Sequence, residues 1–360
     1  MEKDLFDYAC KMRRLLHANA EPSWQEQKTL NIVFGEAKGF DCLVLSASHC
    51  IALFFDFGKS ETIAIRAELD GLPVGEKTGL SFACLSGCMH ACGHDANMAV
   101  LLTLGKIFSQ KKLPNKNLLL VFEPAEEDFG GAQYFLEQGF FKKTSVDTVL
   151  AVHLLPNAKK HAVLSREGVL CAGTKEVDVD FFGKSAHVAT KQNGVDALGA
   201  ASEFLSLAQK ELECGDGFLR FCSLFAGRAR NVICDKASAK GSMRYFSFDE
   251  AEKLGKKAKN LLLKVAQQRG VKVDYCDKKG IPPVFVSGEI LEKAKSVWQI
   301  LPMEKIFLGD DFGVLSNGLK SGYFFVGTGE GESLHSDGFD FDESVLETMV
   351  EFFLALLPKL

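Results

Sequence analysis

The sequence lacks several features that would place it in a membrane, secreted or nucleic-acid-binding class. No stretch approaches the roughly 18 uninterrupted apolar residues of a membrane span. The segment MEKDLFDYACKMRR at the start is charged and has no apolar run of the signal-peptide type. Basic residues are dispersed, and 42 Lys and Arg against 47 Asp and Glu give a net charge of -5. We therefore expect a cytoplasmic protein that binds neither membrane nor nucleic acid.

The cysteine pattern also argues against a disulfide framework. The eleven cysteines are odd in number, irregularly spaced and scattered over 360 residues, which favours free thiols in a reducing compartment. With 47% hydrophobic and 25% charged residues, the chain has the composition of a folded globular protein. Its length exceeds what one hydrophobic core usually supports, so we expect two packed units.

Strands and helices alternate in the first part of the chain. Apolar residues at helical spacing predict an amphipathic helix over 5–16, and a second helix is expected after Pro22. Further on, apolar runs predict strands at 42–45, 51–57, 62–69, 118–122 and 149–152, with helices at 97–108 and 132–137. This order predicts an α/β layer with helices on both faces of the sheet.

The pattern changes after His153. Residues 176–182 alternate apolar and charged side chains, as in a half-exposed antiparallel strand. Strands near 218, at 238–246 and at 271–275, with helices at 195–212 and 249–268, predict an α+β unit over 171–282. Because α/β character resumes at 290–300, with a strand at 323–326 and a helix at 343–356, this unit is expected to be inserted into a domain formed by 1–170 and 283–360.

Four segments carry potential metal-binding side chains where strands of the first domain are expected to end. They are MHACGHD (89–95), PAEE (124–127), VHL (152–154) and LHS (334–336). In open α/β sheets, sites form at the carboxyl ends of strands. A donor set of thiolate, imidazole and carboxylate suits zinc, cobalt, nickel or manganese better than calcium or magnesium.

Each of these signals has an ordinary structural explanation when it is taken alone. Cys92 could be a buried, inert thiol, and Glu126 with Glu127 could be the exposed start of a helix. The combination favours chemistry, because a Glu-Glu pair supplies one carboxylate for a metal and a second that can act as a base. Cys84 and Cys88 also allow a CxxxC zinc site, although a second CxxC is absent.

The chain resembles the dinuclear metallo-amidohydrolases that include hippurate hydrolase, indole-acetyl-amino-acid hydrolase and N-acetyldiaminopimelate deacetylase, a branch of the aminoacylase and carboxypeptidase-G group. The resemblance runs almost from end to end and in family order. It is carried by RAELDGLPVGEKTG, GCMHACGHD, FEPAEEDFGGA, VHLLP, FFGKSAHVAT, GRARNVICDKASAKGSMR, DDFG and LHSDGFDFDE. It implies a catalytic domain with a mixed sheet flanked by helices and an inserted α+β lid that mediates dimerisation.

The resemblance also implies roles for individual residues. It makes two divalent ions (Mn, Co, Zn or Ni) the cofactors, with Cys92, His94, Glu127, His153 and His335 as ligands. Glu126 would be the general base, and Asp70 would orient a ligand from behind. In the inserted domain the resemblance places three residues against the substrate: His187, Asn231 and Arg244. The chain departs from the family pattern at Asn97, Thr190 and Asp310, none of which replaces an implied ligand.

The function implied is hydrolysis of an N-acyl amino acid. The segment LSREGVLCAGTKEVDVDFFGKSAHVA is most similar to the N-acetyldiaminopimelate deacetylase branch, which belongs to bacterial lysine biosynthesis. A broad N-acyl-amino-acid or hippurate hydrolase is the nearest alternative. A non-catalytic metal- or ligand-binding subunit is an alternative of a different class, because fold alone does not determine activity. A homodimer or homotetramer formed through the lid is expected as the assembly.

Overall fold

A computed structural model describes residues 1–278 and 280–360. The helices, numbered in chain order, are α1 (Lys3–His17), α2 (Gln27–Ala37), α3 (His94–Phe108), α4 (Gly131–Glu137), α5 (Phe140–Lys143), α6 (Ala197–Glu211), α7 (Phe248–Arg269), α8 (Gly288–Lys295), α9 (Phe312–Leu315) and α10 (Ser344–Leu356). Two short 3-10 helices span Val188–Asn193 and Leu357–Lys359.

The strands follow the same numbering. They are β1 (Leu43–Ser46), β2 (Ile51–Phe55), β3 (Thr62–Glu68), β4 (Asn117–Glu123), β5 (Val146–Leu155), β6 (Val163–Ser165), β7 (Gly168–Cys171), β8 (Gly173–Phe182), β9 (Glu213–Cys214), β10 (Gly217–Ala226), β11 (Lys236–Tyr245), β12 (Lys272–Asp277), β13 (Val284–Val286), β14 (Ile300–Pro302) and β15 (Lys320–Gly327).

The chain divides into two compact units. Unit 1 contains Met1–Leu170, Val284–Lys305 and Asp311–Leu360, and unit 2 contains Cys171–Pro283 and Ile306–Asp310. The inserted part was expected at 171–282, and the structure groups the short segment Ile306–Asp310 with it. That this part serves as a lid remains a prediction.

Unit 1 is built around an eight-stranded mixed sheet in the order β1-β2-β4-β3-β5-β15-β6-β14. The central strands β4, β3, β5 and β15 run parallel, and β1 and β2 pair antiparallel with their neighbours. β6 pairs antiparallel with β15 and parallel with β14. Every residue of β3 and β4 is buried, including the charged residues Arg66, Glu68 and Glu123, and the remaining residues are mostly apolar, as expected of central parallel strands. Helices flank the sheet, and α1 packs against α3. The predicted mixed α/β fold is confirmed.

Unit 2 contains a five-stranded antiparallel sheet in the order β12-β8-β11-β10-β9, with α6 and α7 packed on it. On β8, Val177, Val179 and Phe181 are buried and alternate with more exposed residues, as the period of two in the sequence predicts. They share one core with Phe204 of α6 and Leu261 of α7. No helix in the described parts of the chain is both long and apolar enough to cross a membrane.

Candidate metal centre

The turn that carries two of the predicted ligands depends on a glycine. Gly93 has φ +82°, in the left-handed region, and stands as the N-cap before His94 opens α3. A Cβ atom at this position would lie 2.8 Å from Cδ1 of Leu154. Glycine therefore permits both the backbone turn and the close approach of β5. Cys92 and His94 are consequently held against the end of that strand, and both are buried.

The orientation of His94 is fixed by a backbone carbonyl. Its Nδ1 lies 2.9 Å from the carbonyl oxygen of Asp70, and a carbonyl can only accept, so Nδ1 carries the proton. Nε2 is buried and makes no hydrogen bond with the described residues. It lies 3.8 Å from Oε2 of Glu126. His94 thus presents the basic nitrogen that a metal ligand needs.

His153 is oriented in the same way from the carboxyl end of β5. Its Nδ1 lies 2.9 Å from the carbonyl oxygen of Leu154. Its Nε2 lies 3.5 Å from Sγ of Cys92. The rings of His94 and His153 meet edge to face with their centroids 6.0 Å apart. Two imidazoles and a thiol therefore converge on one point.

The Glu-Glu pair follows β4, and Asp70 fixes its backbone. The N–H of Glu126 donates to Oδ1 of Asp70 at 3.2 Å, and the N–H of Glu127 donates to Oδ2 at 3.0 Å. Ser23 Oγ also donates to Oδ2, at 2.7 Å. Burial alone would raise the pKa of Asp70, but His94, Ser23 and the backbone N–H of Glu127 lower it. Asp70 is therefore an ionised acceptor behind the site.

His335 reaches the same region from the segment after β15. Its backbone has φ +66°, an uncommon value for a histidine, and its N–H donates to the carbonyl oxygen of Ala91 at 2.9 Å. Its Nε2 lies 3.5 Å from Oε1 of Glu127. About half of the side chain is exposed, so this histidine stands at the solvent side of the cluster.

All five predicted ligands and the predicted base therefore lie together. Within each of three groups, one potential ligand atom per residue lies within 4.8 Å of the others. These groups are Cys92, His94 and His153; Cys92, Glu127 and His335; and His94, Glu126 and Glu127. Overlapping groups of this kind can hold two neighbouring ions. Cys84 and Cys88 belong to no such group in the described residues, so the CxxxC zinc alternative gains no support.

The electrostatics of the cluster favour a bound cation. Burial lowers the pKa of His94, but the charges of Glu68, Asp70 and Glu127 outweigh it and raise that pKa to about 10. Burial, together with the charges of Glu127, Glu126 and Glu68, raises the pKa of the Cys92 thiol well above its usual range. A divalent cation would offset the surplus negative charge and allow the thiol to ionise. The residues therefore fit a metal ion.

A buried ion network lies next to these residues, and sequence reasoning missed it. Arg66 lies 3.2 Å from Glu123 and 3.2 Å from Asp311, and it pairs closely with Glu68. Asn97, which departs from the family pattern, donates to Glu68 at 2.8 Å. Because Arg66 and Glu68 stand inside an apolar strand, their charges were the only sequence signal for this network.

The three predicted substrate residues lie in unit 2. His187 precedes the 3-10 helix and accepts the N–H of Ala189 at its Nδ1, at 3.1 Å. Val188 donates its N–H to the carbonyl oxygen of Asn231 at 3.0 Å, so the segments carrying His187 and Asn231 are neighbours. Arg244 lies on a different element, β11, opposite Thr174 and Phe218. Its Nη1 is buried without a hydrogen bond among the described residues.

Comparisons with known proteins agree with the sequence resemblance. The family model described as peptidase family M20/M25/M40 matches residues 64–359. An N-acetyldiaminopimelate deacetylase from Oenococcus oeni is 32% identical, over 97% of this chain and 98% of the relative. One from Streptococcus sanguinis is 32% identical, over 96% of this chain and 97% of the relative.

A solved structure is also similar along its whole length. It is a dinuclear metal-binding peptidase of the M20 family from Bacillus subtilis, with a TM-score of 0.87 and 25% identity. The match covers 99% of this chain and 98% of that protein. The family resemblance inferred from the sequence motifs is confirmed.

Proposed function

We propose that this chain, which belongs to peptidase family M20/M25/M40, is an N-acetyldiaminopimelate deacetylase of lysine biosynthesis. That it is an enzyme, a metal-dependent amidohydrolase, follows from the family and from its deacetylase relatives. The observation that carries the proposal is the convergence of Cys92, His94, Glu127, His153 and His335 around a further carboxylate, Glu126. The substrate is taken from the relatives of nearly equal length that carry this name.

The cofactors proposed are two divalent ions, of manganese, cobalt, zinc or nickel. The thiol, imidazole and carboxylate donors described above would hold them, in a site where negative charge is in excess. When bound, such ions polarise a scissile carbonyl and lower the pKa of water. The remaining steps belong to the side chains.

Glu126 is proposed as the general base. Its side chain is buried, and its Oε2 faces Nε2 of His94 at 3.8 Å. Its backbone is held by Asp70, while Glu127 is directed toward His335. Glu126 would take a proton from the attacking water and deliver it to the nitrogen that leaves, so that the amide yields acetate and a free amine.

His187 is proposed to stabilise the carbonyl oxygen as negative charge develops on it, with help from Asn231. Because Nδ1 of His187 accepts the N–H of Ala189, the proton of the neutral ring resides on Nε2. A neutral His187 can therefore donate from Nε2, which is what an oxyanion donor requires.

Arg244 is proposed to bind a carboxylate of the substrate. Burial lowers the pKa of its guanidinium, yet arginine stays charged in proteins. A buried N–H without a partner is costly, and its Nη1 is such a group within the described residues. A substrate carboxylate would satisfy it by a charge-assisted hydrogen bond.

Unit 2 is proposed to form the interface of a homodimer or a homotetramer. Its strand β10 pairs along its length with β11, whereas β9 covers only Gly217 and Phe218 on the other side. Leu224 and Phe225, farther along β10, are exposed at 37% and 62%. An exposed apolar edge strand is suited to pairing with a second copy. A cytoplasmic location is also proposed, because all eleven cysteines are free thiols.

The test is an activity screen after removal of metals and reconstitution with manganese, cobalt, zinc or nickel. N-acetyldiaminopimelate should be turned over faster than hippurate and simple N-acetyl amino acids, because its distal amino acid contributes binding energy. A preference for hippurate would favour the broad hydrolase. Failure to hydrolyse any member of the panel would favour a binding subunit.

A further inference from the structure

Two residues with left-handed backbones share one hydrogen-bond acceptor. Trp24 has φ +66° and Ala125 has φ +47°, although neither is a glycine. The N–H of Trp24 donates to Oε1 of Glu26 at 2.9 Å, and the N–H of Ala125 donates to the same oxygen at 2.8 Å. Such backbones persist only where the surroundings hold them. One carboxylate oxygen therefore fixes two strained positions far apart in the sequence.

Both strained residues adjoin the candidate site. Ala125 immediately precedes the pair Glu126 and Glu127, whose N–H groups donate to Asp70. Three consecutive amides at the end of β4 are thus accepted by two buried carboxylates, from Glu26 and Asp70. Trp24 follows Ser23, which donates to Asp70 as well. Glu26 and Asp70 therefore both accept hydrogen bonds from the loop that follows β4.

We infer that Glu26 is a positioning residue that fixes the orientation of the Glu126 and Glu127 side chains. This inference rests on the roles proposed above for those two residues. Glu26 is 1% exposed, and its contacts are with backbone N–H groups rather than with the reacting groups. If Ala125 left its conformation, the next two side chains would turn with it. Glu126 would then miss the water, and Glu127 would miss its ion.

An ordinary role in helix capping does not account for this side chain. Glu26 stands at the N-cap of α2, but its side chain makes no capping hydrogen bond there. A carboxylate that served only the helix dipole would remain in solvent. Glu26 is instead buried, and its Oε2 has no hydrogen-bond partner in the described residues. Burial of a carboxylate is costly, and capping of α2 does not offset this cost. Its two hydrogen bonds to the amides of Trp24 and Ala125 indicate a positioning role instead.

The test compares Glu26→Ala and Glu26→Gln with Glu36→Ala as the matched control. Glu36 is on the same helix and accepts a hydrogen bond from Tyr8 at 2.8 Å, away from the β4 loop. Glu26→Ala should lower kcat by about 100-fold through the loss of its two hydrogen bonds to backbone N–H groups, with KM changed less than about twofold. Glu26→Gln keeps an acceptor oxygen, so its kcat should fall by only about tenfold. Glu36→Ala should match the wild type.

Affinity for Co²⁺ alone provides a readout that needs no turnover. In competition with a chromophoric chelator, Glu26→Ala should bind Co²⁺ at least about tenfold more weakly, because Glu127 is misdirected. Ala125→Gly supplies the specific rescue, since glycine adopts φ > 0 without strain. The factor by which Glu26→Ala lowers kcat should be about fivefold smaller in the Ala125→Gly background.

The outcomes separate this inference from the function it rests on. A wild type that hydrolyses nothing in the substrate panel contradicts the proposed function, whereas the Co²⁺ measurement still tests Glu26. An active wild type with unchanged kcat and Co²⁺ affinity in Glu26→Gln and Glu26→Ala overturns the inference. The inference is also overturned if Glu26→Ala lowers kcat by the same factor whether residue 125 is Ala or Gly. Equal factors would indicate a general loss of packing. If Glu26→Ala does not fold, the kcat and the Co²⁺ affinity of Glu26→Gln alone test the inference.

Discussion

His94 donates from Nδ1 to the backbone carbonyl oxygen of Asp70 across 2.9 Å, and the carboxylate of the same Asp70 holds the two amides of the Glu-Glu pair. One residue thus orients an imidazole through its main chain and two carboxylates through its side chain. The imidazole Nε2 and the side chains of Glu126 and Glu127 are positioned together for this reason. The roles proposed for these groups can be separated by mutation.

Replacing Glu126 with Gln keeps its size and removes its basicity. We expect the protein to retain its metals while kcat falls by about 10²- to 10⁴-fold, the range attributed to general base catalysis. Glu127→Gln should instead weaken metal binding, because an amide is a poorer ligand than a carboxylate. Metal content after dialysis and turnover in excess metal distinguish the two variants. Loss of metal in Glu126→Gln, with activity restored by added metal, would show that the roles are reversed.

Gly93→Ala should destabilise the protein for two separable reasons. The left-handed backbone costs alanine about 1–2 kcal/mol, and its Cβ would also meet Leu154 at 2.8 Å. Gly58→Ala is the matched control, because Gly58 has φ +74° and nothing within 4 Å of the added atom. We expect Gly93→Ala to lower the free energy of unfolding by about 1–3 kcal/mol more than Gly58→Ala does, which is the usual cost of overpacking. Urea unfolding of both metal-free variants measures this difference, and equal losses would exclude a steric contribution.

Glu26 should make the stability of the fold depend on pH near neutrality. Burial raises its pKa from 4.5 to about 7, with a smaller contribution from the charge of Asp70, and backbone donors act in the opposite direction. Between these values the folded state binds more protons than the unfolded state, so stability falls as pH rises through the window and levels off above pH 7. The total change is about 3 kcal/mol for a shift of this size.

Glu26→Gln removes this titration and is the reference for the measurement. The unfolding free energy of the wild type minus that of Glu26→Gln should decrease from pH 4.5 to pH 7, because only the wild type contains the titrating Glu26 carboxyl group. Urea unfolding at intervals across that range, with chelator present, gives the difference at each pH. Parallel profiles would show that the pKa of Glu26 in the folded protein does not differ from its pKa in the unfolded chain.

His187→Ala should affect turnover more than substrate binding. Its proposed hydrogen bond to the carbonyl oxygen forms chiefly in the transition state, so kcat should fall far more than KM changes, with metal content unaltered. Steady-state kinetics on N-acetyldiaminopimelate and a metal assay test this expectation. An unchanged kcat would remove His187 from the mechanism.

Mixing His187→Ala with Glu126→Gln tests whether the histidine acts on its own subunit. If the proposed dimer forms and His187 serves the partner's site, mixed dimers should recover activity, because one site then combines an intact base with an intact donor. Absence of recovery after verified subunit exchange places the histidine in the site of its own chain.

The sequence predicted the elements that carry strong periodicity. The apolar run at 118–122 became β4, and the alternation at 176–182 became part of β8. Strands of only three residues, such as β6 and β14, were missed, because a run of that length carries no detectable period. The short segment Ile306–Asp310 was not assigned to unit 2, since its grouping depends on tertiary contacts.

For the candidate site, the sequence indicated the potential ligands and the base better than it indicated the residues that hold them in position. Thiol, imidazole and carboxylate groups can be recognised by type, and resemblance gave each a role. The acceptor function of Glu26 could not be predicted, because it joins residues 99 positions apart. The same holds for Arg66 and Asp311, which are 245 positions apart. Such pairs follow from the folded backbone, which a local pattern does not encode.

The position of β15 in the large sheet also bears on how the chain folds during its synthesis. This strand lies between β5 and β6, although 164 residues separate it from the end of β5 and 154 from the end of β6. A ribosome would release nearly all of unit 2 before it released β15, so unit 2 can begin to fold first. Until β15 emerges, β5 would expose an open parallel edge, and His335, which follows β15 in the chain, would not yet have emerged. If His335 is a ligand as proposed, the complete ligand set exists only in nearly full-length chains.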